Sequence, residues 1–267
     1  MRRRVLIGAL TVGSLWASAG YTQSSSDAVA RYRELIADDN PADLWVARGA
    51  DLWKAPAGPK HVSLETCDLG KGRGEVKGAY AALPRYFTDA KRVMDLETRL
   101  VYCMETLQGM SHEEAIRQPY GDGEKRSSIE ALTAYLADQS RGMKITVPLR
   151  NPQERATYAL GERIFYYHGG THDFACATCH GESGKRIRLQ DLPGLANPAD
   201  ARKSYASWPA YRVSQGEFRT MEWRMNDCLR QQRFPNLGFT SEAANALILY
   251  LAHNADGGVM AAPGLKR

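Results

Sequence analysis

Cys176, Cys179 and His180 stand in one run, Cys176-Ala177-Thr178-Cys179-His180, and this C-x-x-C-H spacing is the signature of covalent haem attachment. Two thiols so spaced can each form a thioether to one vinyl group of a single haem, while the next residue offers an imidazole to its iron. Two other uses of paired cysteines fit less well. Zinc takes four ligands and no second C-x-x-C completes them. A thioredoxin-like pair opens a helix after a strand in a βαβ unit, which this segment does not resemble. The expected cofactor is therefore one covalently bound haem c, attached through Cys176 and Cys179 with His180 as axial iron ligand.

What the other cysteines can do depends on the compartment. Arg2, Arg3 and Arg4, an apolar stretch from Val5 to Trp16 and the small residues Ala17-Ser18-Ala19 have the order of a secretory signal over residues 1–19, so a mature chain beginning near Gly20 is expected. The apolar stretch is shorter than the roughly 20 residues that span a bilayer, and no later segment could span. A periplasmic protein without a transmembrane anchor follows. Export to an oxidising compartment favours disulfides, so Cys67 and Cys103 are expected to pair, which leaves Cys228 odd among the five cysteines.

The elements that position these residues are helical. Pro152 to His168 carries Ala156, Leu160, Ile164 and Tyr167 at helical spacing, and Ser241 to Ala252 repeats the pattern after Thr240 or Ser241 as N-cap. An internal repeat organises them. Ala131-Leu132-x-x-Tyr135-Leu136-Ala137 followed by Gly142 aligns on Ala246-Leu247-x-x-Tyr250-Leu251-Ala252 followed by Gly257, and Arg99-x-x-x-Cys103 aligns on Arg224-x-x-x-Cys228. Cys67 falls opposite Cys176, with Gly70 and Lys71 where the second Cys and the His would be. The expected fold is mainly α, two tandem cytochrome c-like domains, the first without haem. Residues 20–150 form the haemless domain and 151–267 the haem domain, with Pro148 to Pro152 as the linker.

The repeat puts Cys228 in the second half of the haem domain, where a distal iron ligand usually lies, and Arg224 one helical turn earlier could hold the sulfur as a thiolate. Met221, Met225 and Met260 compete for that position. A thioether would raise the reduction potential, as suits a plain electron carrier, and a thiolate would lower it. His168 and His172 are four residues apart, but Gly169 and Gly170 between them break a helix, so both read as loop or haem-edge residues rather than a second metal site. His61, His112 and His253 read as surface residues. Removal of the three signal arginines takes the formal charge from +5 to +2, too weak and too evenly spread for a nucleic-acid binder. Residues 176–233 depart from this, with ten Lys or Arg, Arg188 among them, against six Asp or Glu, which favours an anionic ligand or partner.

The haem motif, the Arg224-x-x-x-Cys228 pair, the haemless first repeat and the secretory signal together resemble the SoxA family. Its members are the larger cytochrome subunits of the SoxAX complex of bacterial thiosulfate oxidation. With Gly70 and Lys71 in place of a second Cys and His, the chain is similar to the monohaem branch. The resemblance implies an L-cysteine S-thiosulfotransferase that joins thiosulfate oxidatively to a cysteine of a SoxYZ-like carrier, with a SoxX-like cytochrome as partner. It also implies that Cys228 is the catalytic sulfur as well as an axial ligand, with a persulfide as its possible intermediate, and that Arg224 contacts the substrate. The alternative is a periplasmic electron-transfer cytochrome c without sulfur chemistry of its own.

Overall fold

Each copy of the repeat is built on two helices that cross at a glycine. The computed structural model describes residues 31, 32, 35, 39–117, 128–187 and 190–266, so the expected signal at 1–19, the start near Gly20 and Arg188 lie outside the described residues. In the first copy Asp43–Lys54 (α1) precedes Leu96–Cys103 (α2), His112–Arg117 (α3) and Ser128–Asp138 (α4). In the second, Pro152–Tyr166 (α5) precedes Cys176–His180 (α6), Pro198–Tyr205 (α7), Met221–Gln231 (α8) and Glu242–Asn254 (α9). A β-carbon on Gly49 of α1 would lie 1.9 Å from the Ala131 carbonyl oxygen of α4, and one on Gly161 of α5 would lie 2.0 Å from that of Ala246 in α9. Only glycine lets the backbones approach so closely.

Short hairpins complete each copy. Arg85–Phe87 (β1) pairs antiparallel with Arg92–Met94 (β2), and in the second copy Ala210–Arg212 (β5) pairs antiparallel with Glu217–Arg219 (β6) and parallel with the C-terminal Gly264–Lys266 (β7). A small extra pair, Arg186–Ile187 (β3) with Gln190–Asp191 (β4), follows the haem motif. N-caps sit where side-chain oxygens meet orphan amides: the Asp95 carboxylate accepts from Thr98 N at 2.8 Å before α2, and the Thr220 hydroxyl from Trp223 N at 3.2 Å before α8. Ser241 caps α9, its hydroxyl accepting from Ala244 N at 3.0 Å. The helix expected to reach His168 ends at Tyr166, short of Gly169-Gly170, because Tyr167 is already extended.

The copies face each other across a pseudo-two-fold. Gly142 and Gly257, which the repeat equates, sit in facing turns with φ of 77° and 80°. Gly142 N donates to Met260 O at 2.8 Å and Gly257 N to Ile145 O at 2.9 Å, so equivalent segments pair with each other. One continuous core runs through both copies. At its centre lie equivalent polar residues: Tyr80 and Tyr205 line one cavity, and Glu222 N donates to the Glu97 carboxyl at 3.3 Å. The chain just before Pro148 is held to the second copy, since Val147 N donates to Asp256 Oδ1 and His253 Nδ1 to Val147 O, both at 2.8 Å. His253 is therefore not a surface residue as expected. Its ring is partly buried, 5.0 Å from that of Tyr158.

Candidate functional site

The haem-attachment run forms one short helix, α6, held by contacts on both sides. Ala175 N donates to the Thr178 hydroxyl and Lys185 Nζ to Thr178 O, both at 2.9 Å, and Leu195 N donates to His180 O at 2.7 Å. His180 Nδ1 donates to Pro193 O at 3.0 Å, which fixes the tautomer and leaves Nε2 free to ligate. Burial pushes the His180 pKa down, so its imidazole is neutral, the form a metal binds. Two cysteines one helical turn apart beside an imidazole oriented in this way suit covalently bound haem c.

Helix α8 brings Cys228 to the same place. Burial and then the neighbouring Cys228 push the Cys176 thiol up to about 12, and burial, with Asp227 and Cys179 after it, raises Cys228. The three sulfurs thus share one locus although 52 positions separate the first from the last. Two of the competing methionines lie elsewhere: Met221 lines a cavity with Tyr80, Asp95 and Glu97 between the copies, and Met260 is buried in the ladder opposite Gly142. Met225, on the same helix as Cys228, is buried in the core against which Cys176 packs. His168 Nδ1 donates to Asp173 O at 2.9 Å, and His172 lies in the same loop against Phe174.

Arg224 sits one turn before Cys228, its side chain 27% exposed, with Nη1 donating to Asp227 Oδ2 at 3.3 Å. Asp227 is buried and also accepts from Arg230 at 2.6 Å and Gln231 at 2.8 Å. Sequence reasoning expected Arg224 to hold the sulfur as a thiolate. Burial raises the Cys228 thiol above its ordinary value, and the lowering by Arg224 and Arg212 does not overcome it. Sequence reasoning does not single out Asp227, Pro193 or Arg212 as part of the site. Of these only Arg212 leaves a signal, as one of the basic residues of 176–233.

The first copy holds different chemistry at the equivalent place. Cys67 and Cys103 form a disulfide, as their residue count and compartment led one to expect. Arg99, the counterpart of Arg224, donates from Nη1 and Nη2 to the two Asp89 oxygens at 3.0 and 2.8 Å and from Nε to Asp68 O at 2.7 Å. Its guanidinium also stacks over Phe87 and Tyr102, at 4.1 and 4.9 Å from their ring centroids.

Among the described residues no helix is long and apolar enough to cross a membrane. The family model of the SoxA/TsdA cytochrome c domain matches residues 48–145 and 160–260, one stretch in each copy. The L-cysteine S-thiosulfotransferase subunit SoxA of Hydrogenophilus thermoluteolus is 50% identical over 240 residues, covering 90% of this chain and 88% of its own. A protein of the same name from Hydrogenobacter thermophilus is 34% identical over 98% of this chain and 97% of its own. The crystal structure of SoxXA from P. pantotrophus superposes with a TM-score of 0.72 at 23% identity, covering 89% of this chain and 84% of that one, which shows a shared fold. With both copies matched and half the residues identical to a relative along nine-tenths of its length, the chain belongs to the SoxA family of cytochrome c-domain proteins.

Proposed function

We propose that this chain is an exported, monohaem subunit of a SoxAX-type enzyme that couples thiosulfate to a cysteine of a SoxYZ-like carrier. Thiosulfate and one carrier thiol give a cysteine S-thiosulfonate, with one new S–S bond, one proton and two electrons released. Cys176, Cys179, His180 and Cys228 would hold haem c, which would supply one-electron redox chemistry, and a SoxX-like cytochrome would take the electrons onward. Cys228 is the catalytic sulfur, with a persulfide as its modified form. Arg224 presents a planar fork to the sulfonate oxygens, and Asp227 fixes that fork.

The observation that carries this reading is the convergence of Cys228 with the haem-attachment sulfurs beside a partly exposed arginine. The 20–150 domain carries no haem in this reading, since Cys67 is spent in a disulfide and the Arg99 guanidinium is clamped beside it. The 151–267 domain carries the single haem. The test is mass spectrometry. The purified complex, given thiosulfate, an electron acceptor and the carrier, adds one thiosulfate to the carrier chain, while the denatured subunit shows one haem on a chain beginning near Gly20. A carrier of unchanged mass overturns the coupling, and two haems or none overturn the monohaem assignment.

A further inference from the structure

The repeat relates residues 80–103 to 205–228 at one constant offset: Tyr80 to Tyr205, Asp95 to Thr220, Arg99 to Arg224 and Cys103 to Cys228. The hairpins β1–β2 and β5–β6 and the starts of α2 and α8 keep the same offset. Under it Phe87 corresponds to Arg212, Asp89 to Ser214 and Tyr102 to Asp227. Those three positions are the ones that enclose Arg99 in the first copy, two rings stacked on its guanidinium and one carboxylate gripping it bidentately. Arg99 is left 4% exposed with its donors taken.

The second copy replaces each part of that enclosure. A guanidinium, Arg212, stands where the Phe87 ring lay, a serine replaces the gripping carboxylate, and Asp227 replaces the second ring. Arg224 keeps a single hydrogen bond at 3.3 Å among the described residues, and its carboxylate partner is shared with Arg230 and Gln231. Arg212 Nε is buried with no hydrogen-bond partner among the described residues. The third nearby arginine is already committed, since Arg219 donates to Glu130 at 3.0 Å and stacks 4.5 Å from the Trp223 ring centroid. Burial, and after it the charge of Arg224, lowers the Arg212 pKa, while Asp227 and Cys228 act on it in the opposite sense. Two guanidiniums with unspent donors thus flank one sulfur. Like charges brought together out of water favour an anion that can accept from both.

We propose that Arg212 is a second substrate-contacting residue, which together with Arg224 binds the sulfonate end of thiosulfate at Cys228. The inference rests on the functional reading above. An anion with several oxygens can also be a haem propionate, and the test separates the two. Arg212→Phe installs the residue the first copy already accommodates, and Arg212→Lys keeps the charge without the fork. Thiosulfate binding to the ferric SoxAX complex is measured by isothermal titration, beside KM and kcat for coupling, the ferric spectrum and the reduction potential. Arg212→Phe is expected to weaken binding and raise KM by about tenfold or more, the loss of a charge-assisted hydrogen bond, with kcat, spectrum and potential little changed. Arg212→Lys recovers part of the binding. Unchanged binding in both variants overturns the proposal, as does a shifted potential with KM intact, which would assign Arg212 to a propionate. A wild-type complex that binds thiosulfate through Arg212 yet modifies no carrier supports this assignment and overturns the coupling reading instead.

Discussion

As the proposed iron ligands, His180 and Cys228 start from opposite conditions. The imidazole is ready without metal, neutral through burial and aimed by Pro193 O, whereas the Cys228 thiol is raised by burial and needs a cation to become a thiolate. Arg224 and Arg212 supply part of that pull, and bound iron would supply the rest. In the proposed reading Arg224 therefore acts less on the charge of the sulfur than on what arrives beside it. Arg224→Lys is expected to keep the haem spectrum and lower kcat/KM for coupling about tenfold, and Arg224→Ala about a hundredfold, mostly in KM, as steady-state kinetics with the carrier would show. A changed spectrum with KM unaltered would place Arg224 at the haem instead. At this scale the attachment motif and the Cys67/Cys103 pair were legible, because spacing and compartment constrain them directly. Arg212 and Asp227 were not, since what marks them is proximity to Cys228 across a hairpin and along a helix.

The helices were legible for a related reason. Ala246, Leu247, Tyr250 and Leu251 recur at helical spacing in α9, which packs on α5 and is buried from Ala244 to Ala252, and the same spacing marks α4 against α1. The hairpins escaped, since strands of three residues are too short to show alternation. What secures the first copy at the place equivalent to Cys176 and Cys228 is its disulfide, which closes a separation of 36 residues and constrains the unfolded chain by about 3–4 kcal/mol. The Cys67→Ala, Cys103→Ala double variant is expected to lose about that much stability in denaturant titration while keeping haem content and spectrum. An unchanged midpoint would show that the clamped Arg99 and the surrounding core suffice without it.

Across the whole molecule the repeat was legible, but the way its copies join was not, because pairing of Gly142–Ile145 with Gly257–Met260 leaves no composition or period to read. The joint buries Asp95, Glu97 and Glu222 beside Tyr80 and Tyr205, and burial raises all three carboxyl pKa values. Glu130, which ties α4 to Arg219, is raised to about 7, again through burial. In the unfolded chain these groups ionise near the ordinary carboxylate range, so folding retains protons that unfolding releases. Stability contributed by Glu130 is complete below about pH 4.5 and declines as pH rises towards 7, with a slope of about 1.4 kcal/mol per pH unit. Glu97 and Glu222 extend the decline to higher pH. Thermal melts of the holoprotein across pH 5–9, on the order of that window, should show the midpoint falling as pH rises, and Glu97→Gln should flatten the fall; a midpoint that rises with pH would contradict it. The most direct measurement of sulfur chemistry at Cys228 is made on the assembled complex with the carrier present. Cys228→Met is expected to retain haem, because the thioethers and His180 are untouched, to raise the potential, and to abolish transfer of thiosulfate to the carrier. A Cys228→Met complex that modifies the carrier at the wild-type rate would contradict the catalytic assignment and leave an electron-transfer cytochrome in its place.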